Sequence, residues 1–239
     1  MPDAKLDPAR HAVAHVRGAF APARLRALRS HLDRVCDERQ TQAATTREHT
    51  AIARGEASDA LRLDPTWMDA FRDPSRALLD AIGHATWVAF PPQVRRVTTA
   101  AHLVPWHQDV AYQRLLGPRG HDQHVTCFVP LDEDPARRPT IEFVAGRCTE
   151  LPHGAASGFG AGLDEAPAGP HALFRLALGD ALVFGDLVPH RSFVPDPSQP
   201  ERRSLEFRLV RPCDAVADKD YFDIPSGAFT RRSPAMEVA

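Results

Sequence analysis

From Thr86 to Val210 the sequence is cut into short runs rich in β-branched and aromatic residues, separated by Pro, Gly and Asp: TWVAF, QVRRVTTAAHLV, HVTCFVPL, TIEFVAG, HALFRLAL, DALVFGDLV, HRSFV and RRSLEFRLV. Runs of this length and composition pack as strands, and the punctuation between them supplies turns. About eight strands at this spacing predict a sandwich or jelly roll, not alternating β-α units.

The first third reads differently. Pro22 can open a helix in which Leu25, Leu28, Leu32 and Val35 fall on one face of a 3.6-residue repeat. A polar stretch, Gln40 to Ala57, interrupts the pattern. Two further start signals follow, Asp64-Pro65 before Trp67, Met68 and Phe71, and Asp73-Pro74 before Leu78, Leu79 and Ile82, with Gly83 as a stop. The expected fold is mainly β with α: a sandwich or jelly roll that carries an N-terminal helical layer. A chain of 239 residues can bury roughly 70% of its unfolded surface, which suits a single domain over 1–239. Its expected parts are a mostly helical layer (1–85), a jelly-roll core (86–212) and an irregular C-terminal tail (213–239). The Gly/Ala-rich segment from Leu151 to Pro170 reads as a loop, either a mobile lid or a disordered connection.

Composition excludes several function classes. A net charge of -2 lacks the basic excess that nucleic-acid binders use against phosphates. No apolar run approaches the roughly 18 residues of a membrane span. The polar opening, MPDAKLDPARH, has no apolar signal core, so a cytoplasmic location is expected. Cys36, Cys127, Cys148 and Cys213 stand far apart and read as reduced packing thiols.

The 12 histidines invite a search for metal ligands. In LVPWHQDVAY, His107 and Asp109 are two apart, and in a strand they share a face and can chelate one ion. The motif alone is weak: 12 histidines and 21 aspartates in 239 residues give about one chance match, and His31-Leu32-Asp33 is another. That second pair falls in the amphipathic helix, where residues two apart do not face each other, and reads as solvated surface. A third ligand is His190, reached through Gly179-Asp180, the run Ala181 to Phe184, and the turn at Gly185-Asp186. Two histidines and one carboxylate on the walls of a β-barrel form the facial triad of non-haem Fe(II) oxygenases.

A triad working with 2-oxoglutarate also needs a cation for the distal carboxylate. In ERRSLEFRL, Arg202, Ser204, Glu206 and Arg208 share one strand face, while Arg203, Leu205, Phe207 and Leu209 share the other. Arg202 is the anchor if the apolar face packs under the helices, and Arg203 if the apolar face lines the cavity. Alternation does not choose between them.

PWHQD, HVTCFVPLDED with TIEFVAG behind it, LGDALVFGDLVPHRS and RRSLEFR resemble, in order and spacing, the phytanoyl-CoA dioxygenase-like family of Fe(II)/2-oxoglutarate-dependent oxygenases. The resemblance runs from about Pro105 to Arg211, with an echo in VRGAFAPARLRALRSHLDRV. It implies metal ligation by His107, Asp109 and His190. It also implies co-substrate contacts from Arg202, about a dozen residues after the second histidine, and from Ser192, two residues after it. The chain departs from the family where Asn-Gly often precedes a strand ending in Pro-Gly-Ser-His; here the sequence is RRPTIEFVAGRC.

The resemblance further implies a fold that is mainly β with α, a cupin-like jelly roll or double-stranded β-helix with N-terminal helices packed on its major sheet, and Fe(II), 2-oxoglutarate and O2 as cofactor and co-substrates. The implied reaction is hydroxylation of a small organic molecule with release of succinate and CO2. Halogenating relatives lack the metal-binding carboxylate that Asp109 supplies. Two other readings compete: a cupin-type metal oxygenase or isomerase that needs no 2-oxoglutarate, and a catalytically silent jelly-roll binding protein. No role is assigned to His102, His121, His124, His153 or His171, and Trp106 and Cys127 read as packing residues.

Overall fold

The computed structural model describes residues 13–38, 68, 71–89, 92–97, 104–111, 124–146, 149–154, 162–163, 165–196, 198, 201–217 and 219–232. The strands are β1 (Val13–Val16), β2 (Trp87–Ala89), β3 (Gln93–Val97), β4 (Val125–Pro130), β5 (Thr140–Val144), β6 (His171–Leu173), β7 (Ala181–Gly185), β8 (His190–Phe193), β9 (Arg202–Val210), β10 (Asp220–Asp223) and β11 (Ala228–Arg231). Helix α1 spans Pro22–Glu38 and α2 spans Arg76–Ile82. All strand pairings are antiparallel.

Among the described residues, eight strands form a large sheet in the order β1-β7-β4-β9-β2-β10-β11, with β3 also paired to β9. The nine-residue β9 is its spine: β4 covers one edge, and β2 and β3 share the other. A small sheet, β6-β5-β8, lies opposite and is extended by the segment before His107, where His107 bridges His190 and Ser192 N–H donates to Val104 O. From β3 through β9 the chain passes repeatedly between the two sheets, which is the winding of a double-stranded β-helix.

Alternation along the strands builds two cores. Cys127 and Val129 of β4, Val183 of β7, and Leu205, Phe207 and Leu209 of β9 face the helices. There they meet Leu25, Leu28 and Leu32 of α1, Phe71, and Leu78 and Ile82 of α2. Between the sheets, Phe128, Leu182 and Phe184 meet Ile141 and Phe143. With both faces covered, every residue of β4, β5 and β7 is buried, including the polar Thr126, Thr140 and Glu142. The expected helix faces are therefore present; the side chain of Val35 and the start at Asp64-Pro65 lie outside the described residues.

Local signals place the ends of the elements. Ser75 Oγ caps α2 by accepting from Leu78 N–H, and Gly83 ends it at φ +57, its N–H donating to Leu79 O. Gly179 turns the chain into β7 at φ +105, where an added Cβ would stand 2.9 Å from Phe20 O. Asp180 then accepts from Gly18 N–H, Ala177 N–H and His15 Nε2, tying this turn to β1.

The N-terminal layer adds a strand to its helices, since Val13–Val16 pairs with β7. Two expectations need correction. The stretch after Cys213 is not irregular: β10 pairs with β2 and β11 with β10, extending the large sheet. Their strand character comes from a neighbouring edge and not from their own short, polar-rich sequences. Asp33 is also not solvated surface, because its Oδ1 accepts from Arg203 Nε at 2.6 Å, joining α1 to β9. No helix of the described residues is long and apolar enough to cross a membrane.

Candidate metal centre

His107 and His190 lie side by side as a bridge pair at the β8 edge of the small sheet, and Asp109 opens the short helical turn that follows His107. Each offers one ligand atom, and the three atoms lie within 4.8 Å of one another. Asp109 Oδ1 is 3.7 Å from His107 Nε2 and 3.8 Å from His190 Nε2. Both imidazoles are fixed from behind, with His107 Nδ1 2.8 Å from Pro105 O and His190 Nδ1 2.9 Å from Val188 O. A protonated Nδ1 donating to a backbone carbonyl leaves each Nε2 lone pair for a cation. All three groups are buried.

The electrostatics suit a cation. Burial alone raises the pKa of Asp109. The Arg208 guanidinium, with the His107, His124 and His190 rings beside the carboxylate, outweighs it and holds the carboxyl well below the usual carboxylate range. Burial, followed by the neighbouring His107, lowers His190 to about 3, so its imidazole is neutral. An ionised carboxylate beside a neutral imidazole needs no deprotonation before it binds a metal. The donor set of two imidazole nitrogens and one carboxylate suits Fe(II).

β9 resolves the choice of face. Leu205, Phe207 and Leu209 pack under the helices, so Arg202, Ser204, Glu206 and Arg208 look between the sheets. Arg202 is 2% exposed, with one amino group 3.4 Å from Thr140 O, another 3.5 Å from Glu206 Oε1, and its Cζ 5.2 Å from the Phe128 ring centre. Arg203 lies on the helix side, bound to Asp33 and Asp132. Arg208 donates to Asp109 Oδ1 at 3.1 Å, which makes it a partner of the triad. Ser192 Oγ accepts from Val104 N–H at 3.1 Å, on the same face of β8 as His190.

Several residues around the triad escaped the sequence reading. Thr126 Oγ1 donates to Asp109 Oδ2 at 2.5 Å, and His124 Nε2 stands 3.7 Å from the same oxygen. The alternation of His124, Thr126 and Phe128 with the apolar Val125, Cys127 and Val129 was the available signal. Gln108 is wholly buried: its Nε2 donates to Thr149 O and Leu187 O, its Oε1 accepts from Leu151 N–H, and its backbone N–H donates to His153 Nε2. The residue between the two ligands therefore clamps the start of the Gly/Ala-rich segment, whose Gly154 and Gly162 pair with each other. Trp106, read as packing, carries Arg191 4.9 Å above its ring.

The family description "Phytanoyl-CoA dioxygenase (PhyH)" matches residues 10–202. No curated protein sequence matches the chain. Among solved structures, EvdO2 from Micromonospora carbonacea var. aurantiaca aligns with TM-score 0.58 at 19% identity, covering 86% of this chain and 89% of that one. The structure described as the non-haem monooxygenase ThoJ aligns with TM-score 0.60 at 17% identity, over 98% and 90% of the two chains. The non-haem α-ketoglutarate-dependent epimerase SnoN from nogalamycin biosynthesis aligns with TM-score 0.52 at 15% identity, over 90% and 82%. These likenesses establish a shared fold.

Proposed function

Since the chain belongs to the phytanoyl-CoA dioxygenase family, we propose that it is a non-haem Fe(II)/2-oxoglutarate-dependent oxygenase that hydroxylates a small organic molecule, with release of succinate and CO2. The observation that carries this reading is the convergence of His107, Asp109 and His190 between the two sheets while Arg202 looks into the same space. EvdO2 has also been solved with 2-oxoglutarate, and SnoN with Fe3+ and α-ketoglutarate, which supports the same co-substrate here.

In this reading His107, Asp109 and His190 would hold the iron through two imidazole nitrogens and one carboxylate. Iron and 2-oxoglutarate together supply the activation of O2 and the oxidation of a substrate C–H bond. Arg202 receives the distal carboxylate of the co-substrate, its guanidinium held by Thr140 O and Glu206 against the face of Phe128. Ser192, whose oxygen already accepts from Val104, donates its hydroxyl proton to the same carboxylate. Phe143 and Phe184 pack on the His190 ring and keep water from its rear.

The test is to follow 2-oxoglutarate consumption, succinate and CO2 in the iron-loaded protein, alone and with candidate substrates. Succinate formation that requires iron supports the proposal. A protein that binds iron and never decarboxylates 2-oxoglutarate refutes it, and mass spectrometry of the product tests for the gain of one oxygen atom.

A further inference from the structure

The Asp109 carboxylate is only 1% exposed, yet three inner-face side chains approach it that the proposed reaction does not use. Thr126 Oγ1 donates to Oδ2 and Arg208 donates to Oδ1, while the wholly buried ring of His124 stands behind Oδ2. Thr126 and Arg208 are direct cross-strand partners on β4 and β9, the central pair of the large sheet. Asp109 itself follows a single bridge residue and is held by less of the sheet.

An aspartate has two side-chain torsions, and rotation about the second presents to a cation either oxygen or both. Here that rotation is opposed. Turning Oδ2 toward the histidines breaks the Thr126 hydrogen bond in a water-poor interior, where an unmade hydrogen bond is costly. Oδ1 is the oxygen already facing both imidazole Nε2 atoms. We propose that Thr126 and Arg208, backed by His124, are positioning residues of the metal centre that act through Asp109: Thr126 holds Oδ2 aside and Arg208 fixes the place of Oδ1, so that the carboxylate meets the metal through Oδ1 alone. A carboxylate binding through both oxygens would take up a position that 2-oxoglutarate or O2 needs. This last consequence rests on the proposed function; the orientation itself rests only on the metal triad.

The experiment uses the full chain loaded with Co(II), whose visible absorption reports coordination number. Thr126→Val removes the donor at nearly constant volume, and Thr126→Ser restores it. Without co-substrate, T126V is expected to give an altered cobalt spectrum, T126S to match the wild type, and Arg208→Met to depart from it independently. With 2-oxoglutarate added, its Kd is expected to rise about tenfold in T126V. A folded T126V or R208M with the wild-type cobalt spectrum overturns the proposal. If the wild-type protein fails to bind 2-oxoglutarate, the functional reading falls, and the spectra without co-substrate still decide the orientation of Asp109.

Discussion

His107 and His190 exchange both of their backbone hydrogen bonds, each N–H donating to the other's carbonyl at 2.9 Å. Their rings consequently lie 4.1 Å apart, centre to centre, on one side of the small sheet. The backbone pair brings two candidate ligands distant in sequence to one point, and no property of either side chain is needed to hold it there. His107→Ala should therefore keep the fold and lose the metal. Calorimetric titration with Co(II) is expected to show a Kd at least about a hundredfold weaker, with turnover abolished. Wild-type metal affinity in this variant would refute the triad.

Arg202 and Arg203 are adjacent on β9 but belong to different layers, and their variants should separate cleanly. Arg202→Leu is expected to raise the apparent KM for 2-oxoglutarate by about two orders of magnitude. Arg203→Leu leaves Asp132 buried with fewer partners and cuts the tie to Asp33. It should cost about 2 kcal/mol in chemical denaturation while leaving that KM within about twofold. The opposite pattern would place the anchor on the helix side.

Gln108 satisfies three main-chain groups through its side chain. Gln108→Leu orphans them, at a cost of about 3 kcal/mol overall. Hydrogen exchange should accelerate over residues 149–154 more than in the large sheet. Uniform acceleration everywhere would argue against a local clamp.

The pH dependence of the metal-free protein follows from the two buried ligands. His190 is lowered to about 3, so between 6.5 and 3 the unfolded chain takes up a proton that the folded chain does not. Stability falls as pH drops through that window. Asp109, also held low, adds a loss in the same direction below its unfolded value near 3.8. Urea denaturation in EDTA at pH 6.5 and 5.0 should show wild type losing about 2 kcal/mol more than His190→Gln. Parallel slopes would mean that the histidine is not buried neutral.

Phe207 packs 4.3 Å from Phe71, centre to centre, at the join between β9 and the helical layer. Phe207→Ala is expected to cost about 3–5 kcal/mol by denaturation, since neither the sheet nor α1 can collapse into the space. A loss under about 1 kcal/mol would show that the layer contributes little.

Much of this is legible in the sequence. The leucines at 25, 28 and 32 gave α1 and its buried side, and the turns at Gly179 and Gly185 framed the strand leading to His190. The hydrogen bond from Thr126 to Asp109 was not legible, because it spans 17 residues and depends on where β4 lies over the end of the small sheet. Strands β10 and β11 were missed for a related reason, since their few residues become strands only by pairing with an edge already present.

By itself, the sequence determined the periodicities, the turn positions and the set of residues able to ligate, because these follow from local backbone geometry. It also determined that Arg202 and Arg208 share a face opposite Arg203. Only the tertiary structure decided which face looks inward. Alternation in a strand is symmetric between its two sides, and the symmetry is broken only when the leucines of α1 cover Leu205, Phe207 and Leu209. That same covering leaves Arg208 beside Asp109 and Arg202 between the sheets.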